Sequence, residues 1–89
     1  MEQEFIVSNK LGIHARVAAQ IVKVASQFDS QVWISKTGNN CKVNGKSILD
    51  IMTLFCPHGS RVQIHVEGPD ANEALAALAC LFQTKFGES

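Results

Sequence analysis

No stretch of this 89-residue chain reaches the ~18 apolar residues that a membrane-spanning helix requires. Charge of one sign is equally lacking: eight basic and eight acidic side chains give a formal net charge of zero. Without a basic balance, sequence-independent binding to nucleic acid has no driving force, and that class is set aside. An RNA-binding α/β domain would also need several aromatics on an exposed sheet face, and Trp33 alone is poor support for one. Cysteines are few, odd in number and widely spaced: Cys41, Cys56 and Cys80 include no CxxC pair. They are expected to be unpaired and mostly buried thiols of a reducing compartment. The opening Glu2-Gln3-Glu4 carries neither the charge pattern nor the apolar run of a signal peptide, so a cytoplasmic location is expected. Gly-rich phosphate loops, GxSxG elbows and zinc spacings do not occur. Cys56-Pro57-His58 and His65 have no suitably spaced partners, so no metal or other cofactor is expected.

What is present is 46% hydrophobic residues in a patterned order. A chain this long buries roughly 64% of its unfolded surface, enough for one modest core. With no repeat, low-complexity tract or linker, residues 1–89 are expected to form a single domain. Phe5-Ile6-Val7 reads as a first strand. Val17, Ile21, Val24, Ala25 and Phe28 recur at helical spacing, which predicts an amphipathic helix over about 15–28. Residues 31–36 alternate, Thr37-Gly38-Asn39-Asn40 supplies turn residues, and Cys41 with Val43 continues a weaker third strand. Arg61 to Glu67 alternates cleanly, with Val62, Ile64 and Val66 inward. Gly68-Pro69 breaks that strand, and Asp70-Ala71-Asn72-Glu73 resembles a helix cap before a last helix over about 70–83. The tail Gly87-Glu88-Ser89 is expected to fray. The order β-α-β-β-α-β-α predicts an α+β open-faced β-sandwich: a four-stranded antiparallel sheet covered on one face by three helices.

The second helix, about 47–55, departs from the one-stripe pattern. Ser47-Ile48-Leu49-Asp50 resembles a capping box, with Ser47 accepting from backbone N–H groups and Asp50 placed to reach back. Ile48, Leu49, Ile51, Met52, Leu54 and Phe55 then give more apolar surface than one core-facing stripe needs. Either the helix is buried on several sides or part of that surface is kept for partners, and the second explanation is favoured in so small a domain.

The chemistry centres on Lys10-Leu11-Gly12-Ile13-His14-Ala15-Arg16-Val17. His14 follows a glycine turn and stands at the predicted start of the first helix. Free N–H groups at a helix start carry partial positive charge and favour an anion. A phosphoryl group on a ring nitrogen of His14 would meet the N–H groups of Ala15 and Arg16, and the Arg16 guanidinium could add charge-assisted bonds. The plainer reading is that a lone histidine here is a cap or a surface residue.

A resemblance over essentially the whole chain favours the first reading. Asn9-Lys10-Leu11-Gly12-Ile13-His14-Ala15-Arg16, Gly45-Lys46-Ser47-Ile48-Leu49 and Val66-Glu67-Gly68-Pro69-Asp70-Ala71 match, in order and spacing, the histidine-containing phosphocarrier (HPr) family of the phosphoenolpyruvate-dependent phosphotransferase system. The family includes a nitrogen-branch paralogue, NPr. Asn9 to Gly12 leans toward NPr and Gly45 to Ile48 toward HPr, so the branch stays open. The resemblance implies the same open-faced architecture and a phosphoryl group accepted on His14 from phosphorylated enzyme I and passed to IIA-type proteins. It further implies a docking surface built from the start of the first helix, at Val17, and from Ile48, Leu49 and Met52. In some relatives the serine matching Ser47 is phosphorylated by an HPr kinase/phosphorylase. A regulatory interaction module acting through Ser47 and the second helix, without phosphoryl flow, is the alternative. A monomer is the default. One departure stands out: the family has proline after the arginine, and here Val17 replaces it, adding a backbone donor and removing a preset φ.

Overall fold

The computed structural model describes residues 1–88. Among these residues are strands β1 (Glu2–Ile6), β2 (Gln31–Lys36), β3 (Val43–Asn44) and β4 (Arg61–Glu67), and helices α1 (Ala15–Ala25), α2 (Ile48–Met52) and α3 (Ala71–Gln83). A 3-10 turn over Lys85–Gly87 follows. The sheet is antiparallel throughout, in the order β1-β4-β2-β3. The three helices lie on one face of it, giving the open-faced α+β sandwich that the pattern predicts.

The side-chain period of a strand is two, so β4 sends Val62, Ile64 and Val66 to the helical side. Register with β2 sets Ile64 opposite Ile34 and Val66 opposite Val32. From above, α1 contributes Val17, Ala18, Ile21 and Ala25, and α3 contributes Ala74, Leu75, Leu78 and Phe82, all buried. Each fully buried Val, Ile or Leu side chain contributes about 1.5–3 kcal/mol. The outer face is half-covered: Trp33 packs on His65 with ring centroids 5.4 Å apart, and the His65 ring lies within 3.6 Å of Glu2 and 3.3 Å of Glu67.

Several boundaries differ from the sequence pattern for identifiable reasons. The α1 helix stops at Ala25 because its last turn tightens: Gln27 and Phe28 donate to the carbonyls three residues back. Likewise α2 stops at Met52, where Thr53 and Leu54 make the same short-step bonds and Phe55 takes a positive φ of 47°. Cys41 lies outside any strand, since its N–H is taken by the Asn39 side chain at 3.0 Å rather than by a ladder partner. Of the three thiols only Cys56 is buried; Cys41 and Cys80 are exposed. At β1, Glu2-Gln3-Glu4 join the strand as an exposed edge that hydrophobic alternation does not mark.

Both predicted caps are altered. Ser47 does accept from the Asp50 N–H, at 3.3 Å, but its own N–H goes to the Asn44 carbonyl, so the capping box is one-sided. Asp70 sits at the N-cap of α3 without capping it. Its carboxylate instead accepts from the N–H groups of Asp29 and Ser30, at 2.9 Å each, and from the Ser30 hydroxyl. That clamp fixes the α1–β2 connection against the start of α3.

These donors, the Ser30 hydroxyl foremost, hold the Asp70 carboxyl below its ordinary range despite the opposing effect of burial. A carboxylate lowered in the folded chain adds stability above its unfolded value and loses it as pH falls through the folded value. Asp70→Asn is therefore expected to lower the melting temperature at neutral pH and to flatten the loss between about pH 5 and pH 2. Thermal melts across that range check this.

Candidate functional site

The loop before α1 is shaped by one close backbone approach. Gly12 has φ +74°, and a Cβ on it would lie 2.5 Å from the Cys56 carbonyl oxygen and 2.8 Å from Pro57 Cα. Only glycine allows that proximity, and it lets the Ile13 N–H donate to the Cys56 carbonyl at 2.8 Å. The fully buried Asn9 closes the same loop, its Nδ2 donating to the Gly12 carbonyl at 2.8 Å. From the other side His58 donates through Nδ1 to the Asn9 carbonyl at 3.1 Å.

This loop delivers His14 to the N-cap of α1 in extended backbone geometry (φ −107°, ψ −177°). The first helical bond, from Ala18 N–H to the His14 carbonyl, is 2.9 Å long. The imidazole caps nothing. Among the described residues no acceptor takes the N–H groups of Ala15, Arg16 and Val17, so α1 begins with free donors at the positive end of its dipole. An ordinary capping histidine would occupy one of them.

The ring turns instead to the chain's far end. Its Nε2 lies 3.0 Å and 3.2 Å from the two carboxylate oxygens of Glu88; the His14 and Glu88 side chains are 29% and 17% exposed. Asn9 Nδ2 donates to the same carboxylate at 2.8 Å. Arg16 approaches the other oxygen at 4.0 Å and is otherwise in solvent, 75% exposed. The His14 hydrogen bond first, then that from Asn9, push the Glu88 carboxyl down; burial opposes them, and the charges of His14 and Arg16 add to the lowering. Ionised at neutral pH, Glu88 can only accept, so Nε2 carries the ring hydrogen. Whenever the ring is neutral, its lone pair is then on Nδ1.

The family model for the PTS HPr component phosphorylation site matches residues 1–84. The chain belongs to the HPr family. The phosphocarrier protein HPr of Neisseria meningitidis serogroup A is 41% identical over 88 residues, spanning 99% of this chain and 97% of that protein. A crystal structure of HPr-C-His from Thermoanaerobacter tengcongensis superposes with TM-score 0.93 at 46% identity, covering 100% of this chain and 98% of that one. A second structure from that organism, described as an HPr dimer, gives TM-score 0.77 at 49% identity over 85% of each chain.

Within this HPr fold the sequence-derived residues divide. His14, Ala15 and Arg16 meet at the open end of α1. On α2, Ile48, Leu49 and Met52 are exposed, with Leu49 at 80%, and Phe55 just beyond the helix joins them at 75%. Only Ile51 of α2 is buried, so the surplus apolar surface is outward-facing. The Ile13–Cys56 bond ties the His14 loop to the segment leaving this patch. Val17 corrects the expectation of a partner contact: its side chain is fully buried in the core, on the inward stripe of α1. Gly87 and Glu88, expected to fray, are ordered against the site, while Ser89 lies outside the described residues. The contacts of Glu88, Asn9 and His58 had no local signal in the sequence, where Asn9 entered only through the family resemblance.

Gly12→Ala tests the loop. The left-handed backbone alone costs a non-glycine residue about 1–2 kcal/mol, and the clash with the Cys56 carbonyl adds to it. A lowered melting temperature with loss of the Ile13 amide's exchange protection is the expected outcome, read by calorimetry and hydrogen exchange.

Proposed function

We propose that this chain is a cytoplasmic phosphocarrier, in which Nδ1 of His14 takes a phosphoryl group from phosphorylated enzyme I and yields it to a IIA-type protein. The observation that carries this reading is the start of α1, with a solvent-accessible imidazole at its N-cap and backbone donors behind it that no described residue uses. Membership of the HPr family supports the same reading.

In the forward step the Nδ1 lone pair attacks phosphorus in line with the donor's P–N bond. That bond breaks and its electron pair returns to the donor imidazole. There is little covalent work for the protein to do, so catalysis is positioning plus charge neutralisation. The N–H groups of Ala15 and Arg16 and the Arg16 guanidinium are the neutralising groups. Arg16 is unrestrained enough to swing from the Glu88 carboxylate toward an arriving phosphoryl oxygen.

Transfer between two proteins also needs a surface that brings their histidines together. Ile48, Leu49, Met52 and Phe55 form an exposed apolar patch of the kind that marks a protein interface, adjoining the His14 loop. Every group at the site comes from one chain, so the reading needs no second copy. Among the described residues no helix is long and apolar enough to cross a membrane. The regulatory alternative through Ser47 has less support. Ser47 is half-buried, and its hydroxyl already caps the Asp50 N–H. A phosphate there would disturb that cap and put a dianion next to Ile48 at the docking patch, so its effect would be to impede transfer.

Labelled phosphoenolpyruvate with a catalytic amount of enzyme I, of either branch, tests the carrier role. Acid-labile label on the wild type and none on His14→Ala is expected; an unlabelled wild type would sink it. Leu49→Glu is expected to keep the melting temperature and to raise the concentration needed for half-maximal transfer by about tenfold, since burying its charge in the docked interface is unfavourable.

A further inference from the structure

We propose that Glu88 is a positioning residue for His14: it holds the ring hydrogen at Nε2, keeps the lone pair on Nδ1, and offsets the positive charge that the ring acquires on phosphorylation. The inference rests on the carrier reading above and assigns a role to a residue outside the span matched by the family model.

Exposed ion pairs contribute little, so proximity alone would not carry this. The contact differs from such a pair because both partners are held. The Glu88 carboxylate receives Asn9 Nδ2 at 2.8 Å, and the same amide nitrogen donates to the Gly12 carbonyl, also at 2.8 Å. One buried side chain thus joins the loop that sets His14 to the carboxylate that faces it. The chain end is delivered by a built turn. Lys85 and Phe86 take positive φ values of 54° and 56°, folding the backbone toward α1. Phe86 is buried edge-on against Phe82 with centroids 4.8 Å apart, and its carbonyl accepts from Gln20 Nε2 at 3.1 Å. Further bonds of 3.0 Å run from the Gly87 and Glu88 N–H groups to the carbonyls of Thr84 and Lys85. An acid on a frayed tail would need none of this.

The proton balance of the reaction gives the arrangement its use. When Nδ1 forms its bond to phosphorus, the donor P–N electron pair leaves with the donor ring. The His14 ring becomes cationic while retaining Nε2–H. Glu88 already accepts that hydrogen and opposes the new charge, as a carboxylate does behind a catalytic histidine. On transfer to the acceptor the bonding pair leaves the phosphorus and returns to Nδ1, and the ring is neutral again with its hydrogen on Nε2. Neither direction requires the protein to move a proton.

The test compares wild type, Glu88→Ala and Glu88→Gln in two measurements. In unphosphorylated protein with ¹⁵N-labelled histidine, the wild type should show a protected Nε2–H signal and an unprotonated Nδ1. Glu88→Ala should lose the protection, and Glu88→Gln, whose amide oxygen can still accept, should keep it. In single-turnover transfer from phosphorylated enzyme I, Glu88→Ala should be slower by about tenfold and Glu88→Gln by about threefold, with half-saturation unchanged. That split separates Glu88 from the docking patch, where substitution moves half-saturation instead. A wild-type ring spectrum or a wild-type rate in Glu88→Ala overturns the proposal, and a wild-type rate in Glu88→Gln overturns its electrostatic part. A wild type that takes no label fails the carrier reading and this catalytic role with it. The ring spectra still decide separately whether Glu88 holds Nε2–H.

Discussion

The site depends on a backbone contact that no side chain makes: Gly12 pressed against the Cys56 carbonyl, with Ile13 bonded to it. This contact fixes where α1 begins relative to the end of α2. It places an accessible imidazole and helix donors that no described residue uses next to an exposed apolar patch, two features that the proposed function requires on one face. A main-chain tie suits this purpose because its geometry is insensitive to side-chain rotamers. It also leaves the side chains of the loop free for other work, as Asn9 illustrates by bracing the turn and orienting Glu88 with one amide.

The fold makes this affordable by concentrating its stability elsewhere. The β2 and β4 strands pair at the centre of the sheet, and their inward side chains meet α1 and α3 in a continuous core. Within α2 only Ile51 is buried in that core, with Leu54 just past the helix end. A five-residue helix gains little from its own hydrogen bonds. Its outward apolar residues forgo burial in the free protein, a concession that a domain of this size can make only because the remaining core is well filled. Val17 shows the boundary between the two tasks. It follows Arg16 directly, yet it belongs wholly to the core. Its N–H is among those with no acceptor at the helix start among the described residues, and its side chain adds nothing to the exposed face.

The fold was largely legible because hydrophobic periodicity is written locally. The β4 strand alternates over residues 61–67 and is found there, and α3 differs from its pattern by one residue. Legibility failed where polar groups compete for the backbone. Asn39 diverts Cys41 from the ladder, Asp70 leaves its own helix to clamp Ser30, and short-step bonds trim α1 and α2. The place of His14 at a helix start was legible from the glycine turn and the apolar spacing that follows it. Glu88 was not, because its meaning comes from contacts across 74 and 79 residues of chain, and a Gly-Glu-Ser ending has the composition of a loose tail.

The incompleteness of the anion site is itself consistent with carrying a group rather than keeping it. In the proposed cycle the phosphoryl group must leave His14 as readily as it arrives, so strong ground-state binding would slow the second transfer. The donors available are backbone N–H groups in partial solvent and an arginine that is three-quarters exposed. No second cation is held against His14 among the described residues, and the nearest fixed charge is the Glu88 carboxylate. A carboxylate there disfavours the phosphoryl dianion while favouring the cationic ring that bears it. In the phosphorylated state these two effects would oppose each other. A site with several buried arginines would trap the group; under the proposed function, donors as sparse as these let it pass.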